Sequence, residues 1–252
     1  MPVTRFYTIV LLLLTAPFCS AETLRVAVAS NFKTTLEVLA GEFEAQSEHR
    51  LILASGSTGK HYAQIINGAP FDLFFAADAR RPRLLEQQGH SVAGSRFTYA
   101  IGKLVLWSPQ TGYVDDKGLV LESGTFRRLA MANPRLAPYG LAARQVLQQR
   151  GLYDRLQSRL VRGENIAQTF QFVATGNAQL GFVALSQLRG SGMAQQGSLW
   201  IIPGSLHDPI EQQAVVLNDT PAARALIDYI KSDSAVRIIR HFGYDTPAQE
   251  SQ

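Results

Sequence analysis

The hydrophobic and polar positions after residue 21 repeat one pattern: a strand, a short polar loop and a helix. In "TLRVAVAS" (23–30), apolar residues alternate with polar or small ones, which is typical of a β-strand. Ser30 and Asn31 follow, and either residue can cap a helix. Large apolar residues then recur at helical spacing through residues 32–43, which predicts an amphipathic helix.

The same pattern recurs along the chain, in "HRLILAS", "FDLFFAA", "RRLAMANP" and "SRLVRGENIAQTFQFVATG". Strands that alternate with helices predict an α/β fold with mainly parallel sheets. Two longer apolar stretches, near 96–106 and 210–217, are the best candidates for strands that cross between two lobes. Periodicity alone leaves one continuous doubly wound sheet as the alternative.

With two lobes, the order of the elements divides the chain at the crossing strands. We expect residues 22–100 together with 213–252 to form the first lobe and residues 101–212 to form the second. The final helices would then rejoin the first lobe. Neither a low-complexity segment nor a linker rich in Pro, Gly or Ser marks the division.

Residues 1–21 predict a secretory signal peptide rather than part of the fold. Arg5 supplies a positive charge, residues 6–14 are almost wholly apolar, and small residues up to Ala21 suit cleavage there. The apolar run is short for a membrane span. A buried N-terminal element is the first alternative, and a lipoprotein acylated at Cys19 is the second. Phe18 is bulky where such an acylation site wants a small residue.

Composition narrows the possible partners of the exported chain. The sequence has one cysteine, Cys19, so cleavage after Ala21 would leave no disulfide. Loss of Arg5 takes the 24 basic residues to 23 against 20 acidic ones, a net charge of +3. This charge is too weak and too scattered to favour nucleic acid. No second apolar run is long enough for a membrane span, so we expect a soluble protein.

The loop "SGSTGKH" (55–61) resembles a nucleotide site only superficially. A phosphate-binding loop needs a Gly five residues before the Gly-Lys pair, and Ala54 occupies that position. It also needs Ser or Thr after the lysine, where His61 stands. A loop rich in N–H and hydroxyl donors at a helix start instead favours a small anion, although simple helix capping explains any single loop of this kind.

Four such loops precede predicted helices, two in each half of the chain. In parallel sheets these loops share the carboxyl edge of the strands, where ligands bind. A cleft between two lobes would bring the two pairs face to face. The loops contain Ser30-Asn31, Ser57-Thr58, Pro138-Tyr139-Gly140 and Glu164-Asn165-Ile166.

At these loops the chain resembles the periplasmic molybdate-binding protein family of ABC transporters. The resemblance covers nearly all of the sequence after the leader and includes "VASNF", "SGSTG", "NGAPFDLFFAAD", "NPRLAPYG" and "GFVAL". It implies a type II periplasmic binding protein fold, with two lobes that close on the ligand. It also implies a tetrahedral oxyanion, molybdate or tungstate, held by hydroxyl and backbone N–H groups without a neutralising cation, metal or cofactor.

The resemblance assigns ligand-binding roles to six residues. Ser30 and Ser57 match the family's hydroxyl positions, with Thr58 as a neighbour that could exchange roles with Ser57, and Asn31 supplies a backbone N–H. Backbone N–H groups are also expected from Tyr139 and Ile166.

One position departs from the family pattern. Some members use a tyrosine hydroxyl from the strand that matches "GFVAL", where this chain has Ala184. The missing donor is either absent or replaced, with Asn31 and Tyr139 as the candidates.

The charged residues near the loops have simpler interpretations. We expect Lys33, Lys60 and Arg162 to be solvated, Glu164 to point outward, and His61 to be a surface helix residue rather than a ligand.

A site that offers only hydrogen-bond donors does not distinguish molybdate from sulfate, so the size of the cavity must do so. Phosphate keeps a proton near neutral pH and favours a site that also has an acceptor.

The sequence therefore predicts a monomeric, non-enzymatic periplasmic protein that delivers an oxyanion to a membrane permease. A carrier of another tetrahedral oxyanion such as sulfate is the nearest alternative. An enzyme on a related two-lobed fold lacks the expected motifs, since neither Gly-x-Ser-x-Gly nor His-Glu-x-x-His occurs. A ligand-sensing domain of a regulator is a third reading, which the export leader disfavours.

Overall fold

The computed structural model describes residues 21–247. The predicted signal peptide, except for Ala21, lies outside the described residues, and its cleavage site stays a prediction. Within the described part of the chain, no helix combines the length and the apolar character that a membrane crossing requires.

The described part of the chain contains ten strands and ten α-helices, in the largely alternating order that the periodicity predicts. The strands are β1 (Thr23–Ala29), β2 (Arg50–Gly56), β3 (Leu73–Phe75), β4 (Phe97–Gly102), β5 (Leu104–Ser108), β6 (Leu129–Ala132), β7 (Leu160–Gly163), β8 (Leu180–Ala184), β9 (Ser198–Ile201) and β10 (Ile210–Val216). The helices are α1 (Lys33–Ala45), α2 (Thr58–Ile66), α3 (Arg80–Gln87), α4 (Val120–Ser123), α5 (Pro138–Gln149), α6 (Tyr153–Leu156), α7 (Ile166–Ala174), α8 (Leu185–Gly190), α9 (Pro221–Lys231) and α10 (Asp233–His241).

The first sheet has the strand order β2-β1-β3-β10-β4 and carries helices on both faces. Alternation along β1 sends Leu24, Val26 and Val28 to one face, where they pack in a core with α1, α9 and α10. Ala27 faces the other side and packs with Ile65 of α2 and other residues there. Burial on both faces explains why β3 is a continuous apolar run.

The second sheet has the order β7-β6-β8-β5-β9 and the same layered arrangement. One face packs against α5 through residues such as Val146. The opposite face packs against α7 and α8, with Trp107 stacked on Phe170 at a ring separation of 5.5 Å. The prediction of two α/β lobes is therefore confirmed, and the single continuous sheet is excluded.

The sheets are mixed, whereas the sequence pattern predicts mainly parallel ones. In the first sheet β1 pairs in parallel with β2 and β3, but β10 is antiparallel to both β3 and β4. The second sheet likewise has β5 antiparallel to β8 and β9. The reason is topological: the chain leaves the first lobe on β4 and returns on β10, so these neighbouring strands run in opposite directions.

The crossing segments are short. Lys103 alone separates β4 from β5, and residues 202–209 separate β9 from β10. Strands β4 and β10 belong whole to the first sheet, including Ile101–Gly102 and Ile210–Gln212, which the predicted boundaries at 100/101 and 212/213 assign to the second lobe. The division of the chain into lobes stays a prediction.

The crossing arrangement brings the carboxyl edges of the two parallel strand groups face to face. Gly59 at the start of α2 donates its backbone N–H to the Leu136 carbonyl of the second lobe at 2.8 Å. Arg81 of α3 donates to the Arg135 carbonyl at 2.9 Å. These two bonds lie close together, on the adjacent carbonyls of Arg135 and Leu136, and they join the lobes beside the loop that follows β2.

Candidate functional site

A small cavity lies where the four loops meet. All six predicted site residues line it, together with helix-start neighbours from both lobes. The lining residues include Ser30, Asn31, Ser57, Thr58, Tyr139 and Ile166, with Ala29, Gly56, Ala77, Ala137, Pro138 and Asn165.

The size of this cavity limits the ligand to a compact one. About 10 Å³ is open to the centre of a sphere the size of a water molecule, which is roughly the space that one water molecule requires. A sugar, a peptide or a nucleotide would need a much larger cavity. The lining contains no carboxylate and no cationic side chain.

The hydroxyl groups of Ser30 and Ser57 are buried and oriented by N–H donors. Ser30 Oγ accepts from the Ala167 N–H of the opposite lobe at 3.3 Å. Ser57 is the N-cap of α2, and its Oγ accepts from the Lys60 N–H at 3.3 Å. Since each oxygen already accepts an N–H, each hydroxyl keeps its own hydrogen for a ligand in the cavity.

Thr58 has the same arrangement one residue further along. Its Oγ1 accepts from the Ala77 N–H at 3.1 Å, which ties α2 to the end of β3. The hydroxyl hydrogen is again free of a protein acceptor among the described residues. Which of Ser57 and Thr58 donates to a ligand stays a prediction, because the geometry leaves both hydrogens available.

Backbone N–H groups at helix starts supply the remaining donors. Ile166 is the first residue of α7, and Tyr139 is the second residue of α5. The N–H groups of both residues, and that of Asn31, have no acceptor within residues 21–247. Unpaired N–H groups of this kind, at the positive end of a helix dipole, favour an anion.

The side chains of Asn31 and Tyr139 do not replace the tyrosine that Ala184 lacks. Asn31 Nδ2 donates to Gln212 Oε1 at 2.8 Å and to the Tyr244 hydroxyl at 3.0 Å, so both amide hydrogens are used. The Tyr139 hydroxyl accepts from Gln212 Nε2 at 3.2 Å and packs against Gly102, at the crossing strands. Burial raises the pKa of Tyr139 well above its usual range, so this hydroxyl stays neutral.

The charged residues near the loops lie outside the cavity. Lys60 Nζ pairs with Glu164 across the cleft at 2.6 Å, with both side chains about half exposed. Lys33 pairs with Glu37 of its own helix at 3.1 Å, and Arg162 donates to the Tyr153 hydroxyl at 3.4 Å. This agrees with the expectation that they are solvated charges rather than counter-ions.

His61 is buried, and the prediction of a surface helix residue is wrong. Its ring packs edge-on against Phe71 and Phe74, and Nδ1 lies 3.0 Å from Gln64 Oε1. A Cβ at Gly56 would approach His61 Nε2 to 2.8 Å, so a glycine is required directly above the ring. His61 therefore packs directly against the start of the loop that carries Ser57.

Sequence reasoning missed two residues behind the cavity, Gln212 and Ser186. Gln212 is fully buried and contacts Asn31 and Tyr139. Ser186 Oγ donates to the Asn31 carbonyl from the second lobe at 3.1 Å. The signal for Gln212 was present, because two glutamines interrupt the apolar strand "IEQQAVVL", but periodicity does not tell which of them faces the cleft.

Within residues 21–247, no group of three or more His, Cys, Asp or Glu side chains is placed to hold a metal ion. The donor set described above is also wrong for a cation, since hydroxyl hydrogens and N–H groups would point at it. The same donors favour a small anion.

Comparison with known proteins agrees with this chemistry. The sequence profile of the family described as "Bacterial extracellular solute-binding protein" matches residues 24–245. The molybdate-binding protein ModA of Azotobacter vinelandii is 52% identical over 231 residues, which cover 90% of this chain and 92% of that protein. ModA of Rhodobacter capsulatus is 45% identical over 223 residues, 87% of each chain.

A solved structure gives the same result for the fold. The Azotobacter vinelandii periplasmic molybdate-binding protein superimposes with a TM-score of 0.86 at 46% sequence identity, covering 89% of this chain and 100% of that one. The type II periplasmic binding protein fold expected from the sequence is thus confirmed.

Burial of His61 makes the stability of the protein depend on pH. Burial lowers the pKa of His61 below its ordinary value of 6.5. The unfolded chain therefore takes up a proton that the folded chain refuses as the pH falls through 6.5, and stability is lost. Between pH 7.5 and 5.5 this group costs up to about 1.4 kcal/mol.

We therefore expect His61→Gln to lose less unfolding free energy than the parent over this interval, as measured by urea denaturation at each pH. His90→Gln, at an exposed position, is the matched control and should track the parent. Parallel pH curves for His61→Gln and the parent would contradict the assignment.

Proposed function

Because the chain belongs to the bacterial extracellular solute-binding protein family, we propose that it captures molybdate in the cavity between its lobes and delivers it to an ABC permease. The observation that carries this proposal is the set of unpaired hydroxyl and N–H donors from both lobes around one compact cavity. The names of the relatives, molybdate-binding proteins at 45–52% identity, support the same ligand.

The donor set complements a dianion that has only acceptor oxygens. Ser30 and either Ser57 or Thr58 provide hydroxyl hydrogens, while Asn31, Tyr139 and Ile166 provide backbone N–H groups. Hydrogen bonds to a charged acceptor are short and strong, the more so where water is excluded. The helix starts of α2, α5 and α7 add positive partial charge without an ionised side chain.

Size and protonation set the specificity in this proposal. Tungstate has nearly the same size as molybdate and should bind comparably, whereas sulfate is smaller and would leave some donors out of reach. Monohydrogen phosphate carries a hydroxyl that requires an acceptor. Since no carboxylate lines the cavity, that hydroxyl would stay unpaired, which costs free energy in a buried site.

Closure of the lobes traps the ligand. Three interlobe contacts lie around the cavity: Ser30 with Ala167, Gly59 with Leu136, and Lys60 with Glu164. Opening about the crossing segments would break these contacts and expose the donors to water. The ligand itself supplies the added bonds that favour the closed state.

The remaining parts of the proposal concern cellular context. We propose that residues 1–21 direct export to the periplasm, that the mature protein acts as a monomer without a cofactor, and that it performs no catalysis. The permease is the macromolecular partner. These points rest on the leader pattern and on the periplasmic, ligand-binding character of the relatives.

Calorimetric titration of the mature protein with four anions tests the proposal. We expect saturable, one-to-one binding of molybdate and tungstate. Sulfate and phosphate should bind about a hundredfold more weakly or worse, because one or two hydrogen-bonding groups would be left unpaired in their complexes. Equal binding of sulfate would support the alternative oxyanion carrier. Chemical turnover of a ligand would support an enzyme instead.

Removal of a single hydroxyl tests the donor set. Ser30→Ala and Ser57→Ala should each weaken molybdate binding by about 1.5–3 kcal/mol, the contribution of one hydrogen bond to a charged group. Ser123→Ala, whose hydroxyl donates to Val120 in the second lobe away from the cavity, is the matched control. Unchanged affinity of Ser57→Ala would transfer the donor role to Thr58.

A further inference from the structure

Gln212 occupies the point where the two lobes are hinged. It is the third residue of β10, the strand on which the chain returns to the first lobe, and it is fully buried. It pairs with Ala100 of β4, the strand on which the chain leaves. A polar side chain in this position must have its hydrogen bonds satisfied by protein groups.

The amide of Gln212 is satisfied by residues of both lobes. Its Oε1 accepts from Asn31 Nδ2 at 2.8 Å and from the Tyr99 hydroxyl at 3.1 Å, both in the first lobe. Its Nε2 donates to the Tyr139 hydroxyl in the second lobe at 3.2 Å. One side chain thus links Asn31 to Tyr139, the residues whose backbone N–H groups face the cavity from opposite sides.

The surrounding residues make room for this link and fix its ends. A Cβ at Gly102 would clash with the Tyr139 hydroxyl and would lie 2.7 Å from Gln212 Nε2, so only glycine fits there. The Asn31 carbonyl accepts from the Tyr244 hydroxyl at 2.8 Å and from Ser186 Oγ at 3.1 Å. The loop that carries the Asn31 N–H is therefore anchored on the side away from the ligand.

We infer that Gln212 is a positioning residue that couples anion capture to lobe closure, an inference that rests on the proposed function. Its bond to Tyr139 joins the two lobes behind the cavity and sets the separation of the Asn31 and Tyr139 N–H groups. Opening of the lobes pulls Tyr139 away from the amide and breaks this bond. Capture of the anion in front restores the separation at which the bond forms.

The amide is suited to this role because it is neutral and carries both a donor and an acceptor. A carboxylate would place a negative charge directly behind the anion, and a hydrocarbon chain would leave Asn31 Nδ2 and the Tyr139 hydroxyl without their partner. Neither change touches the cavity lining itself. The expected defect is therefore in closure rather than in the donors that contact the ion.

Gln212→Met is the test variant, and Gln213→Met is its matched control. Gln213 is the next residue on the same strand, but its amide contacts Thr98, Glu211 and Arg96, all in the first lobe. We expect Gln212→Met to weaken molybdate binding at least tenfold, chiefly through faster dissociation. Gln213→Met should stay within about twofold of the parent, because the contacts of its amide all lie within the first lobe.

A distance measurement reports closure separately from affinity. The only cysteine in the sequence is Cys19, in the predicted leader, so spin labels can be attached to the mature chain at Arg83→Cys and Gln148→Cys. Both positions are exposed, one in each lobe. With saturating molybdate the parent should show one short distance, whereas Gln212→Met should show a mixture of short and long distances.

Tyr139→Phe provides a second route to the same test, in case Gln212→Met does not fold. This change removes the hydroxyl while keeping the backbone N–H that faces the cavity. We expect a similar loss of closure, and no further loss when the two changes are combined.

Complete closure and unchanged affinity in both variants would overturn the inference, as would an equal defect in Gln213→Met. Failure of the parent itself to bind molybdate would instead refute the proposed function.

Discussion

The structure depends on one constraint: a doubly charged anion is to be buried with no opposite charge beside it. Burial of an ion is costly unless protein groups replace its hydration shell. In the proposed site, that replacement comes from fixed neutral donors: the hydroxyls of Ser30 and of Ser57 or Thr58, and the N–H groups at the starts of α5 and α7. Such groups bind only acceptors, which is why the same cavity cannot serve a cation.

The fold supplies these donors through its topology. Parallel strands deliver each helix start to one edge of a sheet, and the crossing strands β4 and β10 turn the two edges toward each other. Antiparallel pairing of the crossing strands is the consequence of this arrangement. Interlobe bonds such as that from Gly59 to Leu136 lie beside the cavity. The bonds that close the lobes are therefore next to the bonds expected for the ligand.

Much of this could be predicted from the sequence, for identifiable reasons. The strand and helix periods predicted the α/β elements and the crossing strands, and the loops before helices predicted where a ligand would lie. The family resemblance implied the two closing lobes and the six site residues, all of which are among those that line the cavity. What escaped prediction depends on tertiary packing. The burial of His61 requires knowing that Gly56 lies above its ring, and the role of Gln212 requires knowing which face of β10 meets Asn31 and Tyr139. The mixed sheets escaped because periodicity does not encode strand direction.

A crystal structure of the molybdate complex, with the metal located by its anomalous scattering, tests the central claim most directly. The account predicts a molybdenum atom in the cavity between the lobes, with its oxygens within hydrogen-bonding distance of Ser30, Ser57 and the N–H groups of Tyr139 and Ile166. It also predicts that no lysine, arginine or metal cation touches the ion. An ion bound elsewhere, or one paired with a cationic group such as Lys60 or Arg81, would contradict it.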